Sequence, residues 1–518
     1  MQLFSKPSIA GFARSPGLWL TLFAAAAYCS LAVPHWRPTW DSAIYISLAR
    51  AIARGEGYVY MGYADAHYPP GLPLLLSPTV LFSGDNVGLM RLLMAACAAG
   101  SVGMTYRLFR RFADAGVSLS VSIMTGASWA LFSAATFVLS DIPYLFLSLV
   151  ALDRIECCVR KCSRRNLLLM AAAVAAAVGM RTVGVTLAAA GAAVILFEHK
   201  AASPGKRLRP VGILIGVVAL FGVGAIAHGA LSGPPMPGEM RESAGYFKEV
   251  LSSDPDNPRA APVDGHGLLE RGMQNACNYG HMASDLLSGR AAPAAGFGVV
   301  LCGLCMAGWL AACARGASLL EWYSAFSVGA CLLWNAQPAP TYDTMRYLLP
   351  LLPFLFYYTL QPVLWIGAML ARHLPGGRDS AGRTAAALAC VALVLALNVP
   401  EDIARVRSEH RSPYYAGAVA DYLDAVRWIS GQTPKDSVVI TDRAPYVWYL
   451  AERRAFSGPW LADPREAFDS WTRNRVSHVI TGELDHARRF INPVVAAFPE
   501  HFRLVRRFGG NALYEKRP

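Results

Sequence analysis

Charge is scarce in this chain of 518 residues: Asp, Glu, Lys and Arg together make up 16% of it, against roughly 25% in soluble domains. Hydrophobic residues make up 54%, and apolar runs recur along most of the length, which excludes an ordinary soluble enzyme. No basic face alternates with exposed aromatics, so the net charge of +12 is no sign of a nucleic-acid partner. A secreted disulfide framework is missing too. Most of the eleven cysteines, among them Cys29, Cys97, Cys331 and Cys390, lie in apolar runs as small core residues. Cys302 and Cys305 form a CxxC inside a hydrophobic helix with no second pair nearby, which reads as packing. The basic start is followed by an apolar run at about 17–33 without a clear small-x-small cleavage site, so an uncleaved first helix with a cytoplasmic N-terminus is expected.

What is present is a series of hydrophobic runs, each long enough for a helix rising about 1.5 Å per residue to cross or nearly cross roughly 30 Å of hydrocarbon. Besides 17–33, spans are expected near 87–108, 117–136, 138–156, 166–180, 182–197, 210–230, 292–314, 318–336, 348–370 and 384–400. Lys and Arg cluster in the connectors "RLFRRF", "RKCSRR", "EHKAASPGKRLR" and "ARHLPGGRDSAGR". All four fall on the cytoplasmic side, as the positive-inside rule requires, only if the run at 71–83 does not cross. That run is also too short to span, so it reads as an interfacial or re-entrant segment. The expected fold is a polytopic α-helical membrane protein of about eleven transmembrane helices.

Three segments leave the membrane. Residues 34–70 form a first outer loop that ends in "HYPPGLPLLL", where two prolines halt any upstream helix. Within the loop, "DSAIYISLARAIARGEGY" places apolar residues at helical spacing with Arg50 and Arg54 opposite. An amphipathic helix lying in the interface is expected there. Residues 231–290 are polar and Pro/Gly-rich, too long for a simple connector. Residues 401–518 read as a small extracytoplasmic α/β domain, set apart from the transmembrane module of residues 1–400. There "SVVIT" and "SHVIT" are short buried strands, "AGAVADYLDAVRWISG" is an amphipathic helix, and a hairpin turns at Gly509-Gly510.

Polar residues at membrane edges are the candidates for chemistry. Asp41 heads the loop helix, where a carboxylate suits an N-cap and the positive helix end; that position does not exclude a catalytic base. Arg346 and Tyr347 precede an apolar run. They read either as a snorkelling anchor with an aromatic-belt ring or as a guanidinium fork for phosphate oxygens. Arg181 occupies a tight outer turn, and Asp141, at the next outer turn, is an ion-pair partner for one of these arginines.

In order along about 400 residues, "TWDSAIYISLARAIARGEGY", "HYPPGLPLL", "GDNVGLMRLLMAACA" and "MRYLLPLLP", with an outer C-terminal domain, resemble the GT-C superfamily of polytopic glycosyltransferases. The branch it looks like holds bacterial relatives of protein O-mannosyltransferases and the lipid A aminoarabinose transferase. The resemblance implies an inverting enzyme of the bacterial inner membrane that moves a sugar from a polyprenyl-phosphate donor to an extracytoplasmic lipid, glycan or protein, its C-terminal domain periplasmic. It makes Asp41 the general base, and Arg346, Arg181 and Tyr347 the donor-phosphate site. His67, Tyr68, Asp65 and Asp141 would line the acceptor side, all converging on one outward-facing cavity. In the aminoarabinose branch the pair before Pro is acidic then basic, and its acidic member helps bind a metal; here His67 and Tyr68 stand there. A divalent metal on Asp41 and His67, with Asp65 nearby, is compatible with zinc chemistry, although no cofactor is required. The alternatives from other classes are a secondary transporter, against which stands the absence of an inverted repeat, and a non-catalytic membrane scaffold.

Overall fold

The computed structural model describes residues 15–65, 67–198, 204–231, 236, 251–253, 260–289, 295–334, 345–374, 378–411 and 417–517. The "SGPPMPGEM" and "DPDNPR" stretches of the 231–290 segment lie largely outside them. The chain divides into two compact units: residues 1–34, 87–222 and 270–410 form one, and residues 35–86, 223–269 and 411–518 the other. The division differs from a simple cut at residue 400, because the first outer loop groups with the C-terminal domain.

The first unit is helical. Its long elements are Pro16–Cys29, Val87–Phe109, Ala115–Gly126, Asp141–Arg160, Arg164–Met180, Val185–Glu198, Gly265–Ser288, Ala295–Ala314, Leu319–Leu333, Leu352–Arg372 and Asp379–Glu409, and the Pro204–Leu231 helix begins in it. All eleven expected spans coincide with helices among these. Among the described residues, five stretches, Val87–Phe109, Leu208–Gly229, Gly296–Ala314, Leu349–Arg372 and Asp379–Glu409, are long and apolar enough to cross a membrane. Outward-facing Leu220, Val223, Ile226, Val299, Trp365 and Leu388 are exposed, which suits side chains that meet lipid rather than protein.

Two expected spans change shape. The run at 117–136 breaks after Gly126 and resumes as a short helix, Trp129–Ala134. The Trp129 N–H, left without a helical acceptor at the break, donates to Asn398 Oδ1 at 3.0 Å. The run at 384–400 extends through Pro400 to Glu409. There Glu409 meets Arg91 at 2.5 Å, both side chains 1% exposed, so a long-range ion pair outlasts the local proline signal. Small residues set the closest helix crossings. A Cβ on Gly382 would lie 2.2 Å from the Gly367 carbonyl oxygen, so the Leu352–Arg372 and Asp379–Glu409 backbones touch there.

The second unit gathers the outer loop around a mixed sheet. The Trp40–Ala53 helix is capped by Thr39, whose hydroxyl accepts from the Ser42 N–H while Ser42 reaches back to the cap. Asp41 is therefore a first-turn residue rather than the cap: Thr39 is the residue that adopts the extended backbone a cap needs. The helix is also not a half-exposed interfacial rod. Nine of its side chains between Ser42 and Ala51 are buried, because Gly71–Ser83 packs along it and Ala444–Ala451 of the C-terminal domain packs against it as well. Arg50, read from sequence as lying opposite the apolar face, bridges Asp85, Glu452 and the Tyr449 carbonyl.

Strands β1 (Val59–Tyr60) and β2 (Tyr63–Ala64) form a small hairpin whose Met61 and Tyr60 join Ile44 and Leu48 in one apolar cluster. Strands β3 (Val438–Ile440), β4 (Arg454–Phe456), β5 (His478–Thr481), β6 (Phe502–Phe508) and β7 (Asn511–Lys516) form a sheet of order β4-β3-β5-β7-β6. The first three are parallel, and β6 and β7 add an antiparallel edge. The expected strands, the helix now seen as Ala418–Gln432 and the Gly509-Gly510 hairpin are all present. The Gly71–Ser83 segment is a 13-residue helix with Pro70 at its start. Its Leu74, Leu81 and Phe82 are exposed, and its length falls short of a crossing.

Candidate functional site

The candidate residues fall into two clusters, one in each unit. In the second unit the loop after β2 turns on Asp65, whose Oδ1 accepts the backbone N–H groups of His67 at 3.0 Å and Tyr68 at 2.9 Å. This Asx turn, together with Pro69 and Pro70, holds the loop end still. It aims the Tyr68 hydroxyl at Asp41, which accepts its hydrogen bond on Oδ1 at 3.1 Å. Tyr45 stands edge-on to the Tyr68 ring, centroids 5.2 Å apart, and the His67 ring meets it at 4.9 Å. Tyr68 is therefore held by packing and by its backbone, and the phenol orients the carboxylate. Burial pushes the Asp65 carboxyl up, opposed by the two backbone N–H donors and by His67 and His228.

Asp65 thus acts through the turn it builds. Its Oδ1 is spent on backbone groups and Asp41 Oδ1 on Tyr68, and among the described residues no group of three or more His, Cys, Asp or Glu is arranged to hold a metal ion.

In the first unit, Arg181 lies in the extended link between the Arg164–Met180 helix and the 3₁₀ turn Thr182–Gly184. It pairs with Asp141, the first residue of its helix. Asp141 is 2% exposed, so the ion pair is largely desolvated and geometrically firm. Arg346 and Tyr347 follow the short turn at Met345, ahead of the 3₁₀ turn Leu349–Leu351 and the Leu352–Arg372 helix. The Arg181 and Arg346 guanidinium groups lie 5.5 and 5.6 Å from the Tyr347 ring centroid, within cation–π range. Two cations from segments 165 positions apart therefore share one aromatic platform, and Asp141 is engaged with Arg181.

Sequence reasoning missed the helix that borders this cluster. Gly265–Ser288 was read as part of a polar loop, yet Arg271, Asn275, Tyr279, Met282 and Leu286 recur on one buried face of it. That spacing of four, four, three and four is the helical signal that the flanking prolines and glycines masked. Asn275 Nδ2 donates to the carbonyls of Leu332 at 3.0 Å and Trp334 at 3.2 Å, which seats the helix on the end of Leu319–Leu333.

No family model matches this sequence. No curated protein matches it either. Solved structures do. The chain is similar to ArnT from Cupriavidus metallidurans bound to undecaprenyl phosphate, with 13% identity, a TM-score of 0.58, and 97% of this chain and 98% of that one covered. It is also similar to the oligosaccharyltransferase AglB from Archaeoglobus fulgidus in complex with an inhibitory peptide and a dolichol-phosphate. There identity is 14%, the TM-score 0.56, and coverage 91% of this chain and 70% of that one. The expected architecture is thereby shown: a multi-helix fold shared with these structures, carrying a small C-terminal sheet domain.

Proposed function

We propose that the chain is an integral-membrane inverting glycosyltransferase that moves a sugar from a polyprenyl-phosphate donor to an acceptor hydroxyl on the extracytoplasmic face of the bacterial inner membrane. The observation that carries the reading is the convergence of Arg181 and Arg346 on Tyr347, in a fold whose solved counterparts include one bound to undecaprenyl phosphate.

The chemistry follows from the leaving group. The acceptor oxygen attacks the anomeric carbon, the bond from that carbon to the phosphate oxygen breaks, and the acceptor proton passes to Asp41. A phosphate leaves as an anion, so it needs no proton, and fixed positive charge in a water-poor site lowers the barrier instead. Arg181 and Arg346 supply that charge. Tyr347 holds the guanidinium groups over its ring, and Asp141 orients Arg181. Asp41, positioned by Tyr68, serves as the base, a role that contributes about 10²–10⁴-fold in rate. The Asp65 turn, His67 and Tyr68 form the acceptor-side wall.

The test is turnover by the purified full chain in lipid nanodiscs supplied with a panel of polyprenyl-phosphate sugars, following release of polyprenyl phosphate. Release by the wild type, lost in Asp41→Asn at normal expression, supports the reading. Absence of release with every donor, together with solute uptake into proteoliposomes that survives Asp41→Ala, would replace it with transport.

A further inference from the structure

The Tyr279 side chain brings a polar group into a buried position. Tyr279 is 6% exposed, and its hydroxyl oxygen has no hydrogen-bond partner among the described residues. An orphan phenol of this kind is destabilising unless something else completes it. Its neighbourhood shows what that could be. Tyr279 lies within electrostatic reach of Arg181, Tyr347 and Cys331, and the Cys331 thiol points at the Tyr347 carbonyl, 3.9 Å away. One turn along the same helix, Asn275 is locked to the end of the Leu319–Leu333 helix, so the Tyr279 position does not drift. Burial pushes the phenol up from its ordinary range, so it remains a proton donor at any physiological pH.

We propose that the Tyr279 hydroxyl is a direct ligand of the lipid-linked phosphate, donating a neutral hydrogen bond to an oxygen of the anion held by Arg181 and Arg346. This inference rests on the glycosyltransferase reading and adds a third, uncharged contact to its donor site. Desolvated donors aimed at an anion are strong, because the acceptor is charged and no water competes.

The experiment uses the full-length protein in nanodiscs and two probes, undecaprenyl phosphate and undecaprenol, which share the chain and differ in the phosphate. The wild type should bind the phosphate more tightly than the alcohol. Tyr279→Phe should weaken binding of undecaprenyl phosphate by roughly tenfold, the loss of one hydrogen bond to a charged group, while binding of undecaprenol stays unchanged. The lipid-free variant should melt no earlier than the wild type, since the change removes an unsatisfied group. Undiminished phosphate binding by Tyr279→Phe would overturn the inference. So would equal weakening for both lipids, or weakening accompanied by an earlier lipid-free melt, since either marks a packing role. A wild type that fails to distinguish phosphate from alcohol would strike the glycosyltransferase reading itself.

Discussion

The Tyr68 hydroxyl donates to Asp41 across 27 positions of sequence at 3.1 Å, and it is held there by the Asp65 turn. Removing that donor leaves the carboxylate in place but free to rotate. Tyr68→Phe should lower the rate of sugar transfer by about tenfold while Asp41→Asn lowers it by 10² or more, the usual range for a positioned base. Single-turnover kinetics with a polyprenyl-phosphate donor check the order. Equal losses for the two variants would show that Tyr68 does more than orient.

Arg346→Lys keeps the charge and loses the planar fork. If the guanidinium binds phosphate oxygens in pairs and rests on Tyr347, transfer should fall at least tenfold despite the conserved charge. Unchanged turnover would remove Arg346 from the donor site.

The Arg91–Glu409 pair is almost fully desolvated. Glu409→Ala strands a buried cation, which costs about 3–5 kcal/mol, so the melting temperature in detergent should fall sharply. Replacing both partners by Met should recover much of that loss. A single variant as stable as the wild type would show that water reaches Arg91.

Docking of the loop helix on the C-terminal domain should respond to acid. Glu452 is held below the usual carboxylate range chiefly by its hydrogen bond from Arg54, with help from the Arg50 charge. A carboxylate with a lowered folded-state pKa stabilises above its unfolded value and loses that contribution as pH falls through the folded one. Amide-exchange protection of residues 40–53 should therefore hold at neutral pH and decline below about pH 4.5, the ordinary glutamate value. Glu452→Gln should flatten the decline. Because the pair is half exposed, salt should weaken the contact as well.

Much of the architecture was legible along the chain because it rests on local pattern. Apolar runs mark helices whatever they later touch. "SVVIT" and "SHVIT" mark strands, and the Gly509-Gly510 pair marks a hairpin, since each depends on neighbours within a few residues. The run at 71–83 forms a helix as long as the run itself, and helix rise fixes its reach. Where local signals competed, they misled. Thr39 outranked Asp41 as the cap, and the polar punctuation around residues 265–288 hid a helix that its own four-residue spacing encoded.

The sequence by itself determined the class of protein, the positions of its spans and which polar residues stand at their ends, because burial in hydrocarbon and hydrogen bonding within a helix are settled residue by residue. Tertiary structure alone decided that Arg181 takes Asp141 as partner and shares Tyr347 with Arg346, that Asp65 builds a turn, and that Tyr279 is buried. Those outcomes depend on which helices pack together, and the energies that choose them act between side chains far apart in the chain, where no periodicity points.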